Sequence, residues 1–215
     1  MHNEFLSASG GDSRFRAVIF DLGNVLVDFR YNAYMTELGF PEEVQDFFRK
    51  EIILSPLWCR MDRGELGISE AAEQLVERFG SYESEIRSFF SCIEGIVREY
   101  PDSEGLVRKL KENGYLVYIL SNYPEELYEM HRDSWKFLPL TDGAVISGKE
   151  KMGKPDAAFY RLLLDRYNLT AEECIFLDDR EDNVLAARQS GIETILVNHR
   201  EEAFRTLLEK LALRG

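Results

Sequence analysis

Short, continuous apolar runs alternate along most of this chain with stretches whose apolar residues recur at helical spacing. The continuous runs cover residues 17–20, 115–120, 174–177 and 194–197. They lack the polar alternation of a half-solvated strand, so each is expected to be a strand covered on both faces by helices. Helix signals fall between them. The pattern at 106–111 stops at Asn113-Gly114, Pro124 stands at an N1-like position for a helix over 125–135, and the pattern at 182–190 stops at Gly191. Strand and helix in alternation predict an α/β core with a mostly parallel sheet.

Between residues 31 and 100 the strand-like runs disappear, and helical patterns follow one another at 33–38, 42–51, 69–79 and 82–96. This reads as an all-helical insert that leaves the core after its first strand and returns near Pro101. The expected division is a loose tail at 1–14, a core built from 15–30 and 101–215, and a helical unit at 31–100. The aromatic pairs Phe47-Phe48 and Phe89-Phe90 fit the interior of that unit better than a cofactor box.

Charge narrows the partners. With 39 acidic against 26 basic residues the net charge is -13, a field that repels nucleic acid and anionic lipid, so neither is expected as a partner. No apolar run approaches the ~18 residues of a membrane span, and the opening residues lack a signal-peptide core, so neither is expected; the expectation is a cytoplasmic protein, a monomer or weak dimer. Cys59, Cys92 and Cys174 are odd in number and lie far apart, against a disulfide framework or a zinc site. His2, His131 and His199 show no ligand spacing. The GxxxxGK matches at 143–149 and 148–154 continue with Glu150 and Pro155 rather than Ser or Thr, so neither makes a phosphate loop.

The chemistry gathers where strands end. In an open parallel sheet, ligands bind beyond the carboxyl ends of the strands. There the first strand offers Asp21, the second Ser121-Asn122, and the third Asp178-Asp179, followed by Asp182-Asn183. A single acid in such a place is commonly a helix cap or turn residue. Agreement of three strand ends points instead to a site, and carboxylates brought together there repel unless a cation lies between them. For an all-oxygen set Mg²⁺ is the natural choice.

These residues fall in four ordered motifs: Phe20-Asp21-Leu22-Gly23-Asn24-Val25-Leu26, Leu120-Ser121-Asn122, Gly153-Lys154-Pro155-Asp156, and Phe176-Leu177-Asp178-Asp179 with Asn183 after it. Over residues 16–200 the chain resembles a haloacid dehalogenase superfamily hydrolase of subfamily I, with a helical C1-type cap and the DLGN-type first motif of glucose-1-phosphate phosphatase-like members. The resemblance implies a three-layer Rossmann-like α/β core with an inserted helical cap. It also implies Mg²⁺-dependent hydrolysis of a small phosphorylated metabolite. Asp21 would be the nucleophile that forms an aspartyl phosphate, with Ser121 and Asn122 at the phosphoryl group and Lys154 neutralising charge. Asp21, the Gly23 carbonyl and Asp179 would hold the metal. Asp178 stands open between a water-mediated ligand and a residue that orients Lys154.

Gly23 departs from the family's phosphatases, which carry there a second Asp that protonates the leaving group. Loss of that help costs on the order of 10² to 10⁴ in rate. Asp28, or Asp62 and Glu65, are candidates to replace it, against a plainer reading in which Asp28 anchors the linker and residues 62–65 form a surface turn. A leaving group of low basicity, such as the anomeric oxygen of a sugar 1-phosphate, lessens the need. Two other functions fit the motifs less fully: a non-catalytic phosphate-binding regulator, and a metal-independent dehalogenase, whose first motif carries an aromatic residue where this chain has Gly23.

Overall fold

The computed structural model describes residues 14–213. Its centre is a five-stranded parallel sheet in the order β5-β4-β1-β6-β7. The strands are β1 (Ala17–Phe20), β4 (Leu116–Ser121), β5 (Gly143–Ile146), β6 (Cys174–Asp178) and β7 (Glu193–Leu196). β1 lies between β4 and β6, with Val18 opposite Val117 on one side and Ile175 on the other. The chain therefore winds outward from β1 in both directions, and the crevice beyond its carboxyl end is the switch point of the sheet.

Alternation along the strands divides the core in two. Val18, Phe20, Val117, Ile119, Ile175 and Leu177 enter one apolar cluster, while Ala17, Ile19, Tyr118, Leu120, Cys174 and Phe176 enter the other. α9 (Ala157–Tyr167) and α10 (Glu181–Gln189) cover the second face through Phe159, Tyr160, Leu163 and Ala187. α6 (Ser103–Glu112) and α11 (Arg200–Lys210) cover the first through Val107, Leu110, Phe204 and Leu207. Both faces of β1 and β6 are thus dry, which is why those strands read as unbroken apolar runs.

The helical insert contains α1 (Tyr31–Glu37), α2 (Glu42–Phe48), α3 (Pro56–Asp62), α4 (Ile68–Arg78) and α5 (Glu83–Ser91). It is entered and left through an antiparallel ribbon of β2 (Val27–Phe29) and β3 (Val97–Glu99). Aromatic rings fill the insert: Phe47 stacks on Tyr82 at 4.1 Å, and Phe48 meets Phe89 at 4.8 Å. Its apolar residues join the cluster on the first face of the sheet.

Several expected elements differ in extent. The helix expected over 125–135 is α7 (Glu125–His131), with Pro124 at its N-cap position instead of N1. The long pattern at 82–96 breaks at Cys92 into α5 and a 3₁₀ turn, Ile93–Ile96, and α2 runs on into a π-helical stretch, Arg49–Ile53. α3, β2, β3, β5 and the single-turn α8 (Ser147–Glu150) were not expected, since segments of three to seven residues are too short to show a period. Apart from Arg14, the expected N-terminal tail lies outside the described residues. Among those described, no helix is long and apolar enough to cross a membrane.

Phe89 is fully buried against Tyr34, Phe48 and Phe90. Phe89→Ala is expected to cost about 3–5 kcal/mol in urea unfolding. Because the insert shares its cluster with the sheet, fluorescence and circular dichroism transitions should stay coincident.

Candidate active site

Asp21 is the first residue past β1, and its main-chain N–H donates to Leu177 O at 2.9 Å, which fixes it beside the end of β6. Its Oδ1 accepts from the Leu22 N–H at 2.7 Å and from Ser121 Oγ at 2.6 Å, and lies 2.9 Å from Lys154 Nζ. Among the described residues no donor reaches Oδ2. One carboxyl oxygen is thereby held in place while the other keeps its lone pairs open.

Lys154 is only 3% exposed. Its ammonium contacts Asp21, donates to Asp178 Oδ2 at 2.6 Å and to Leu120 O at 2.9 Å, so its three hydrogens all have acceptors. Asp178, with no exposure at all, accepts from the Arg180 N–H at 2.8 Å and from Asn183 Nδ2 at 2.9 and 3.1 Å. This geometry makes Asp178 the counter-charge that orients Lys154, and gives Asn183 the task of holding Asp178. Asp179 reaches toward the first motif, where its Oδ2 accepts from Asn24 Nδ2 at 2.8 Å.

Burial pushes the Asp21 carboxyl up to about 7; the Lys154 charge opposes this and the Asp178 charge adds to it. Burial also raises Asp179, against the hydrogen bond from Asn24. For Lys154 burial works against the charged form, yet Asp178 and Asp21 hold it above its ordinary range. Carboxylate oxygens of Asp21, Asp178 and Asp179 lie within 4.8 Å of one another. Three carboxylates against one ammonium leave negative charge uncompensated, and this all-oxygen set fits a hard divalent cation.

The remaining candidates divide between the site and its surroundings. Asn122 spends its side chain on the loop of the third motif, donating to Lys154 O at 2.9 Å and accepting from Lys154 N at 2.8 Å. Asp28 lies in the ribbon opposite Arg98, where its charge helps to raise Tyr100. Glu65 is exposed. His131 is buried, 3.0 Å from Tyr123 Oη and 2.9 Å from Glu94 O, stacked on Trp135, and depressed by burial, a core histidine. His2 lies outside the described residues. Asp62 faces the site: its carboxyl is pushed well above the ordinary range by burial and by the Asp21 charge. Sequence reasoning gave no role to Asn24. Its φ of 57° is a conformation that Asn tolerates better than most residues, and an Asn next to a glycine was the available signal.

The haloacid dehalogenase-like hydrolase profile matches residues 15–191, and the chain belongs to that family. The chain is 33% identical over 206 residues to the sesquiterpene phosphatase astK of Aspergillus oryzae, an alignment that covers 94% of this chain and 97% of that protein. A HAD family enzyme of Bacteroides thetaiotaomicron, solved with magnesium and inorganic phosphate, superposes with a TM-score of 0.66 at 21% identity, over 85% of this chain and 93% of the other. A dehalogenase solved with an intermediate complex gives 0.72 at 22% identity, over 94% and 99%. At these identities the two structures share the fold.

A divalent cation bound by Asp21 would compete with the proton that its carboxyl, raised to about 7, takes up at lower pH. With the folded-state value raised, the carboxylate is ready for the metal above that pH and mostly protonated below it. The rise in melting temperature on adding Mg²⁺ should therefore be larger at pH 8 than at pH 6, where affinity is roughly tenfold lower for one displaced proton. Asp179→Asn should remove most of the shift at both pH values.

Proposed function

We propose that the chain is a Mg²⁺-dependent phosphatase that hydrolyses a small phosphate monoester through an aspartyl phosphate on Asp21. The observation that carries this reading is the carboxyl of Asp21, with Oδ1 taken by Leu22, Ser121 and Lys154 and Oδ2 without a donor among the described residues. That is the arrangement an in-line attack on phosphorus requires. Ser121 donates to a phosphoryl oxygen as its bond to Asp21 is exchanged, and the Lys154 ammonium balances charge on the nucleophile and the transferring group. Mg²⁺, held by Asp21, the Gly23 carbonyl and Asp179, would draw off negative charge from the phosphoryl oxygens. Water then hydrolyses the aspartyl phosphate and restores Asp21. The helical insert acts as a cap that excludes bulk water and selects the substrate.

For the alcohol part of the substrate, the relative matched over 97% of its length is a sesquiterpene phosphatase. This ranks the monophosphate of an isoprenoid alcohol ahead of the sugar phosphate suggested by the first motif. The acidic trio around Lys154 favours metal use over metal-free dehalogenation.

Phosphate release is to be measured on farnesyl phosphate, glucose 1-phosphate and phosphoglycolate with Mg²⁺ or EDTA, alongside halide release from 2-chloropropionate. Turnover of at least one phosphate ester, dependent on Mg²⁺, is expected, with a loss of about 10⁴-fold or more in Asp21→Asn and about 10²-fold in Ser121→Ala. Halide release in EDTA, or phosphate binding with no turnover, would replace the reading with a dehalogenase or a binding protein respectively.

A further inference from the structure

Transfer of a phosphoryl group to Asp21 leaves an alkoxide that needs a proton, and Gly23 has no side chain to give one. The insert brings a carboxyl to the same place. Helix α3 opens at Ser55, whose Oγ accepts from the Leu57 N–H at 3.2 Å, with Pro56 in its first turn. It closes through the Glu65 N–H donating to Arg60 O at 2.9 Å and the Gly64 N–H to Met61 O at 2.8 Å, with Gly64 at a φ of +62°. Capped at both ends, the helix holds Asp62 in its last turn.

That turn is fastened to the sheet. Ser147 Oγ donates to the Asp62 carbonyl while accepting the Tyr123 N–H at 2.8 Å, and Lys151 Nζ donates to the Gly64 carbonyl at 2.9 Å. A Cβ at Gly64 would collide with the Gly148 carbonyl, so the two backbones are in close approach. Tyr123 lies two residues beyond Ser121 and Ser147 directly follows β5, which puts these anchors on the carboxyl edge of the sheet.

The charges that reach the Asp62 carboxyl are those of Asp21, Lys154 and Arg180, and Tyr123 is the further titratable group beside it. Burial, then the Asp21 charge, push the Asp62 carboxyl well above the ordinary carboxylate range, the direction a proton donor requires. No described residue donates a hydrogen bond to that carboxyl. The pinned turn thus brings a carboxyl without a donor among the described residues to the edge of the sheet that carries Asp21.

We propose that Asp62, from the cap, is the proton donor and acceptor of the phosphatase reaction, in the place left by Gly23. This rests on the phosphatase reading above. As Asp21 Oδ2 bonds to phosphorus and the ester P–O bond breaks, the electron pair of that bond goes to the leaving oxygen, which takes the Asp62 proton and departs as the alcohol. The Asp62 carboxylate then accepts a proton from water. The water oxygen bonds to phosphorus, the P–O bond to Asp21 breaks, and hydrogen phosphate leaves with both acids in their starting states.

The test compares the parent, Asp62→Asn, and Asp62→Asn combined with Gly23→Asp on an alkyl phosphate and on p-nitrophenyl phosphate, whose leaving group needs little protonation. A Cβ at Gly23 meets no atom within 4 Å, so the second substitution fits. Asp62→Asn is expected to lose about 10²-fold or more in kcat on the alkyl ester but less than about tenfold on the aryl ester. Gly23→Asp should recover part of the alkyl loss. Asp62→Ala leaves the main-chain anchors of the turn in place and should repeat the pattern, with melting temperatures of all variants measured alongside. Equal losses on both esters, or none on the alkyl ester, overturn the role of Asp62 while leaving that of Asp21 intact. A parent with no turnover above the Asp21→Asn background overturns both.

Discussion

The Lys154 ammonium, buried between Asp21 and Asp178, is the interaction on which the rest of the site depends. A cation with 3% exposure persists in a protein interior only when it is paired and its hydrogens are accepted. Here the partners come from the ends of β1 and β6, and the third acceptor, Leu120 O, from β4. One side chain thus ties three neighbouring strands together at their carboxyl edge. Removing either carboxylate would leave the buried ammonium with one acidic partner in place of two. The same constraint explains Asn183 and the Arg180 N–H, which satisfy the remaining lone pairs of Asp178.

With Lys154 in place, the division of labour among the acids follows from their surroundings. Asp178 is enclosed and fully engaged, whereas Asp21 keeps one oxygen without a donor among the described residues and Asp179 accepts from Asn24. Burial without full compensation raises Asp21 and Asp179, and a divalent cation is the group that would restore both to the charged form. The insert contributes in another way: its last turn of α3, pinned by Ser147 and Lys151, brings Asp62 over the same edge.

Much of this was legible because burial on both faces removes ambiguity. Runs such as Ala17–Phe20 and Cys174–Asp178 can be polar only where the sheet stops, so Asp21, Ser121 and the Asp178-Asp179 pair mark that edge in the sequence itself. Three-residue β2 and β3 carry no period, and the edge strand β5 begins at a glycine packed under Tyr167, so none of them stood out. In the site, the positions of Asp21 and Lys154 could be read from motifs, but which of Asp28, Asp62 and Glu65 comes near them could not. It depends on how the insert docks on the sheet, through contacts between residues 85 apart in the chain, Asp62 and Ser147. Asn122 shows the converse, a polar residue in the right motif whose side chain the loop itself consumes.

The central claim, that Asp21 carries the phosphoryl group, is open to direct chemical trapping. Enzyme turning over substrate with Mg²⁺ is quenched in acid, treated with borohydride, and digested for peptide mass spectrometry. An acyl phosphate at Asp21 is reduced to homoserine at that position, and the conversion should require both substrate and metal. Turnover under the same conditions with residue 21 recovered only as aspartate would contradict the account.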